Sequence, residues 1–323
     1  MEKNRDGDAA WSVIREKFEN EKKIYDSSVL TFNGIDSKLD VYNCSIPFIS
    51  GGKKYIFGRV EPHDAWASSH TYLFCETAPD VYDRVKEFDR LELEDPFIAI
   101  IGGELILGGV HVVKTSGEPV SYSTYFYRGT SPENLKYFTT GPAMMKDIRL
   151  VEMPNGIGVF SRPNGFIGFT EIKNLDELDE KVINNAEIID LIENHGYGGC
   201  NQCYYLDSGL IGIIGHMVYP KTIPDGRTER VYVNIAAVFE PEKRKTLMNK
   251  IIGTRRCYPA SDRIRICCDG VPLDDTAFTS GLVMRNDGMA DIYSGLSDAL
   301  EGRITVDYPF ENFGKIVYGG NKL

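Results

Sequence analysis

The chain has 323 residues, 42% of them apolar and 11% aromatic, and a formal net charge of −11 at pH 7. That apolar share supports a packed core, and the lack of basic excess argues against a nucleic-acid backbone or an anionic membrane surface as partner. No apolar run approaches the ~18 residues of a membrane helix. The N-terminal MEKNRDGDAAW lacks the apolar segment of a secretory signal. Seven cysteines, two of them adjacent (Cys267, Cys268), fit a reducing cytoplasm better than a disulfide framework.

Trp11, Ile14 and Phe18 recur at helical spacing among charges, so residues 9–24 are expected to form a short amphipathic helix. Val29 to Phe32 reads as a lone strand. From about residue 41 the pattern becomes hairpin after hairpin, turning at Gly52, Gly103, Gly156, Gly209 and Gly288. Each turn sets Gly beside Gly, Asn, Ser or Asp, the chemistry of positive-φ hairpin turns. The spacing is ~50 residues and lengthens at the last step, which is the signature of a propeller with one blade of about four strands per repeat. Five repeats give five blades.

The outer strands are expected in HTYLFCET, STYFYRGT, FIGFTEI and RVYVNIAAVFEP. Short helical turns are expected over 174–193, between blades three and four, and an insertion over about 250–275, between blades four and five. The strand at Val29–Phe32 is expected to pair with the last one, Arg303–Val306, and close the ring, which removes exposed sheet edges. The fold class is therefore all-β: a helical extension over 1–27, then a single five-bladed propeller over 28–323. The competing reading is unrelated hairpins in a sandwich, and the regular spacing argues against it.

In a propeller the inner strands converge on a central channel. That brings together Arg59, Glu61, Glu94, Asp95, Lys146, Asp147, Arg149, Arg162, Asn201, Gln202, His216 and Asp298, which lie near equivalent ends of the inner hairpins. Asp95 precedes Pro96, and Asp-Pro alone reads as a turn carboxylate. Beside other acids and partly buried, its pKa would rise and it would serve as a general acid. Glu94, one residue away on a strand, is expected to point to the opposite face. Arg59, Lys146, Arg149, Arg162 and His216 come from different blades. Each reads singly as neutralising a nearby acid, but together they suggest an anionic ligand such as phosphate. Trp66 either stacks on a sugar or is buried. Cys200 and Cys203 form a single CxxC, which lacks the second ligand pair of a structural zinc, and they read as small core residues. No metal spacing, phosphate loop or nucleophile elbow is present.

The motifs GRVEPHDAW, LEDPF…GGELILGGV, MKDIRLVEMPNGIGVFSRPNG, GGCNQCYYL…GLIGIIGH and YSGLSDALEGRI resemble a family known as domain of unknown function 1861. That family includes the mannosyltransferase–phosphorylases of trypanosomatid parasites (glycosyltransferase family 108) and is similar to the mannoside phosphorylases of glycoside hydrolase family 130. The resemblance runs from about residue 28 to 310. It implies a five-bladed propeller that cleaves or builds β-mannosides with inversion, using oligosaccharide and phosphate or a sugar phosphate and no other cofactor. Carried over by residue, it implies Asp95 as the general acid and Arg59, Arg149, Arg162 and His216 as phosphate ligands. Glu61, Lys146, Asp147, Asn201, Gln202, Asp298 and Trp66 are expected on the sugar. The family 130 motif continues with Arg where this chain has Phe97, which sets the chain nearer the transferase–phosphorylases. A hydrolase on the same propeller and a non-catalytic carbohydrate-binding propeller are the alternatives. A homo-oligomer is left open.

Overall fold

The computed structural model describes residues 5–65, 68–115, 118–192, 197–267 and 269–323. Helix α1 spans Arg5–Glu21, starting before residue 9 and stopping short of 24. Strands β1 (Asp26–Val29) and β2 (Thr31–Asn33) follow. Blade one holds β3 (Leu39–Tyr42), β4 (Phe48–Ser50), β5 (Lys53–Pro62), β6 (His70–Ala78) and β7 (Val81–Arg84); blade two holds β8 (Glu94–Ile101), β9 (Glu104–Thr115), β10 (Glu118–Gly129) and β11 (Lys136–Thr140). Blade three holds β12 (Arg149–Met153), β13 (Gly156–Ser161), β14 (Gly168–Ile172) and β15 (Glu187–Ile188), with helix α2 (Glu180–Asn184) between the last two. Blade four holds β16 (Tyr197–Leu206), β17 (Ile211–Thr222), β18 (Thr228–Glu240) and β19 (Lys245–Gly253); blade five holds β20 (Ala277–Met284), β21 (Ala290–Leu296) and β22 (Leu300–Val306). A last strand, β23 (Ile316–Tyr318), pairs with β16.

The five sheets confirm the five-bladed propeller. Local turn chemistry sets the inner hairpins: Gly102 and Gly103 both have positive φ (58° and 79°), as a two-residue turn matched to strand twist requires. The 174–193 segment carries helical turns as expected but also holds β15, which completes blade three. The early strand splits at Leu30. Its first half, β1, pairs antiparallel with β22 and completes blade five, while β2 pairs parallel with β7 in blade one. Arg303 on β22 secures this seam, reaching Asp26 and Asp80 at 2.8 Å each.

Among the described residues the buried apolar side chains gather in five clusters, one between each pair of neighbouring blades. Strand periodicity explains this. On β8, Phe97, Ala99 and Ile101 pack toward blade three while Ile98 packs toward blade one, so each blade is apolar on both faces. Trp11 of α1 joins the cluster between blades three and four. Cys200 and Cys203 are buried in the same cluster, as small core residues.

Two hairpins overrun their blades. Beyond Val110, β9 pairs only with β10. Before Asn234, β18 pairs with β17 and, apart from a single bridge from Tyr232 to Thr276, with no other strand. The overhangs stand over one end of the channel and supply walls to the site below.

Candidate active site

A cavity of about 440 Å³ opens at that end of the channel, lined by Asn43, Arg59, Glu94, Asp95, Lys146 and Asp298 among others. Asp95 lies at a register break in β8, where Glu94 faces Val110 and Phe97 faces Gly108. The extra residue puts Asp95 in the left-handed region, at φ 48°, an uncommon state for a non-glycine residue. Its Oδ1 accepts hydrogen bonds from Arg59 Nη1 and Asn43 Nδ2, both at 2.9 Å. Its Oδ2 takes no hydrogen bond from the described residues.

This geometry corrects two expectations. Alternation on a regular strand would turn Glu94 away, but the break lets both acids reach the cavity, and Glu94 lies 3.6 Å from Arg59 Nη2. The Asp95 carboxyl is not raised. Burial alone would raise it, but the charges of Arg59 and Lys146 and the bonds from Asn43 and Arg59 outweigh burial and hold it below the usual carboxylate range. The raised carboxyls of the cavity are Glu94 and Asp298. Burial lifts Glu94. Burial, aided by Asp95 and Glu61, pushes Asp298 up to about 6 against the pull of Arg59 and Arg265.

Arg59 is surrounded by acids. Besides Asp95 and Glu94, it donates to Glu61 at 3.1 Å and to Ser69 Oγ at 2.9 Å, and it lies over the Tyr42 ring. Glu61 is fully buried and stands behind Arg59 rather than on the cavity wall. It accepts from Tyr42, Arg59, Arg265 and the Ser68 N–H.

The other expected residues form a second group beside the cavity, with Lys146 between the two. Asp147 (φ 62°) pairs with Arg162 at 3.2 Å. Arg162 also donates to the carbonyls of Gly198 and Gly165 and lies over Tyr197. Arg149 donates to the carbonyls of Asn201 (2.6 Å) and Ile148 (3.0 Å). Its guanidinium sits 3.9 Å from the Phe97 ring centroid, and the tip of that ring fills the space over Gly108, where a Cβ would come within 2.1 Å of it. Phe97 is thus the platform for Arg149. His216 Nδ1 lies 2.6 Å from Asn201 Oδ1. Burial pushes His216 down to about 4, so at neutral pH it is a neutral hydrogen-bonding group, which corrects its expected role as a cation. Gln202 reaches across to the inner strand of blade two, donating to the Ile98 carbonyl at 3.1 Å. Trp66 lies outside the described residues.

Lys146 is exposed into the cavity; among the described residues no carboxylate lies within ion-pair distance of it, and Asp147 and Asp95 act on it from farther away. Arg230 and Tyr232, on the β18 overhang, line the same cavity, and sequence reasoning missed both because they lie outside the inner strands. It also missed Arg265, from the connection before blade five. Arg265 is 1% exposed and donates to Asp40 (2.9 Å), Glu61 (3.1 Å) and the Asp298 carbonyl (2.9 Å). The available signal was the added length of that connection, with Arg263 and Arg265 at alternate positions.

Behind Asn43, Glu301 accepts the Cys44 N–H at 3.0 Å and the Ser280 hydroxyl at 2.8 Å. Burial pushes its carboxyl from 4.5 up to about 8. The folded form therefore holds a proton that the unfolded chain releases. The resulting stability is complete below the unfolded pKa of 4.5 and is lost as pH rises toward 8. Glu301→Gln should remove this slope, so its stability relative to wild type should increase between about pH 5 and about pH 8. Urea midpoints at the two pH values check this; a constant difference between the two proteins would refute it.

Among the described residues, no group of three His, Cys, Asp or Glu side chains is arranged to hold a metal, and no helix is long and apolar enough to cross a membrane. Residues 16–312 match a family described as "Protein of unknown function (DUF1861)". No curated protein matches the chain. Among solved structures, the chain is similar to MPT-4, a mannose phosphorylase from Leishmania mexicana in complex with phosphate ion. The identity is 45% over 98% of this chain and 99% of that one, with a TM-score of 0.89. It is also similar to MPT-1, a GDP-Man-dependent mannosyltransferase from Leishmania mexicana, at 41% identity over 96% and 98% of the two chains and a TM-score of 0.89. A member of the GH130 family of mannoside phosphorylases shares the fold at 13% identity over 87% and 86% of the chains, with a TM-score of 0.56.

Proposed function

The chain belongs to the DUF1861 family, and we propose that it is an enzyme that moves a mannosyl group between a β-mannoside and phosphate, with inversion. The observation that carries this reading is the pairing of one clamped carboxylate, Asp95, with a cavity lysine, Lys146, that has no carboxylate within ion-pair distance among the described residues. An inverting hydrolase needs an acid and a second carboxylate to activate water, whereas phosphate is already a nucleophile and needs cations to hold it. The likeness to a mannose phosphorylase with bound phosphate supports the substrate class.

In this reading Lys146 binds phosphate, backed by Arg149 and Arg162, and the neutral His216 supplies a hydrogen bond. Asp147 orients Arg162, and Asn201 fixes both Arg149 and His216. Arg59 and Asn43 position Asp95, and Asp298 and Glu94 face sugar hydroxyls. A phosphate oxygen attacks the anomeric carbon, the glycosidic C–O bond breaks, and the Asp95 proton passes to the departing oxygen. In the reverse direction, carboxylate Asp95 takes the acceptor's hydroxyl proton. Phosphate arrival supplies the switch between these states. An anion beside Lys146 offsets one of the two charges that keep Asp95 ionised, and so raises its proton affinity.

Incubation with β-1,2-mannobiose, with and without inorganic phosphate, tests the proposal. Mannose 1-phosphate should appear by ³¹P NMR only in the phosphate arm. Cleavage that proceeds equally without phosphate would make water the nucleophile and turn attention to Asp298 or Glu94 as its base.

A further inference from the structure

A second cavity of about 340 Å³ lies in the connection between blades four and five, lined by Lys221, Arg255, Arg256, Ser261, Asp274 and Asp275 among others. Arg255 stands out there. It is 8% exposed, in a 3-10 turn over Arg255–Cys257. The buried arginines Arg15, Arg59, Arg162, Arg265 and Arg303 have carboxylate partners, and Arg149, which has none, is held by two carbonyls and the Phe97 ring. Arg255 has none within ion-pair distance among the described residues. Its Nε donates to Ser297 Oγ at 3.3 Å and its Nη1 to the Pro259 carbonyl at 2.9 Å; its Nη2 has no partner among the described residues.

Of the nearby acids, Asp275 is engaged elsewhere, and Asp274 lines the same cavity but lies beyond ion-pair distance of Arg255. Asp275 receives both terminal nitrogens of Arg15 (2.8 and 2.7 Å) and Lys221 at 3.0 Å. Asp274 is exposed. Burial depresses the Arg255 pKa, and Asp274, Tyr258 and Asp275 offset this only in part. A buried charge without a partner is costly unless something fills its hydrogen-bonding capacity. Two more donors face the same space. Arg256 is largely exposed and held by Glu19 at 2.8 Å. Ser261 accepts the Arg263 N–H at 3.1 Å and keeps its own hydroxyl proton to donate.

We propose that this cavity is a second oxyanion site, apart from the central one, that takes phosphate or a phosphomonoester between Arg255 and Arg256 with the Ser261 hydroxyl as third donor. Guanidinium forks match tetrahedral oxyanions. The site lies close to the central cavity: Ser297, which accepts from Arg255, precedes Asp298 in the chain, and its N–H donates to the Thr276 carbonyl at 3.0 Å.

Isothermal calorimetry of the full chain with inorganic phosphate tests it. Wild type should bind two equivalents, one in each cavity. Arg255→Met should fold at least as stably as wild type without phosphate, because an unpaired buried charge is gone. It should bind one equivalent only, or the second at least about tenfold more weakly. Arg256→Gln changes an exposed side chain, and should weaken the same equivalent by roughly threefold. Arg255→Met that keeps wild-type stoichiometry and affinity overturns the proposal. Failure of the central phosphate site looks different: wild type then binds one equivalent and Arg255→Met none.

Discussion

Asp95→Asn is expected to slow mannosyl transfer to and from phosphate by about a hundredfold or more, the size of effect that loss of a positioned acid–base group produces. The substitution is nearly isosteric. An amide oxygen can still accept from Arg59 Nη1 and Asn43 Nδ2, so the clamp at 2.9 Å need not open. What is lost is a proton that can come and go. Phosphate binding should persist, because Lys146 and the Arg149–Arg162 group are untouched. Steady-state rates in both directions, with phosphate affinity measured separately, give the result. Turnover within about tenfold of wild type would remove Asp95 from the chemistry. Since Asp95 is ionised at rest, the synthetic direction should lose at least as much as the degradative one.

Arg265→Met is expected to destabilise the fold by about 3–5 kcal/mol, the cost of breaking a buried ion pair from one side. Asp40 and Glu61 are both fully buried, and Arg265 bridges them. Arg263 and His63 remain on Asp40, and Arg59 and Tyr42 remain on Glu61, which favours the lower end of that range. The Asp298 carbonyl also loses its donor. Urea unfolding provides the measurement, and a loss below about 1 kcal/mol would show that water or the remaining partners suffice. Activity should fall as well, because Arg265 ties the Asp298 turn to the acids behind Arg59.

The features legible in the sequence were those with local or repeated causes. Gly102–Gly103 and its counterparts announce hairpins through backbone chemistry alone, and their spacing announces blades. Because equivalent strand ends meet in a ring, Arg59, Asp95, Lys146 and Asp298 could be grouped before any coordinates. The orientation of Glu94 was not legible, because strand alternation fails where Asp95 adopts positive φ. The ionisation of Asp95 was not legible either: it depends on which charges come close through space, and Arg59 and Lys146 prevail over burial. His216 looks like a cation in the sequence and becomes neutral only through burial. Arg230 and Arg265 reach the site from an overhang and a connection, where no repeat could align them.

The seam between β1 and β22 also bears on how the chain is made. Residues 26–29 leave the ribosome long before their hydrogen-bonding partners, residues 302–305. Until then β1 has no edge to join and blade five no fourth strand. Pairing so distant in sequence must overcome a large loop-closure entropy, and it slows the final step of folding. Blades two and three, and β16–β19 of blade four, can each form from their own contiguous segments during synthesis. The ring, with the cavity at its centre, becomes complete only when β1 and β22 meet.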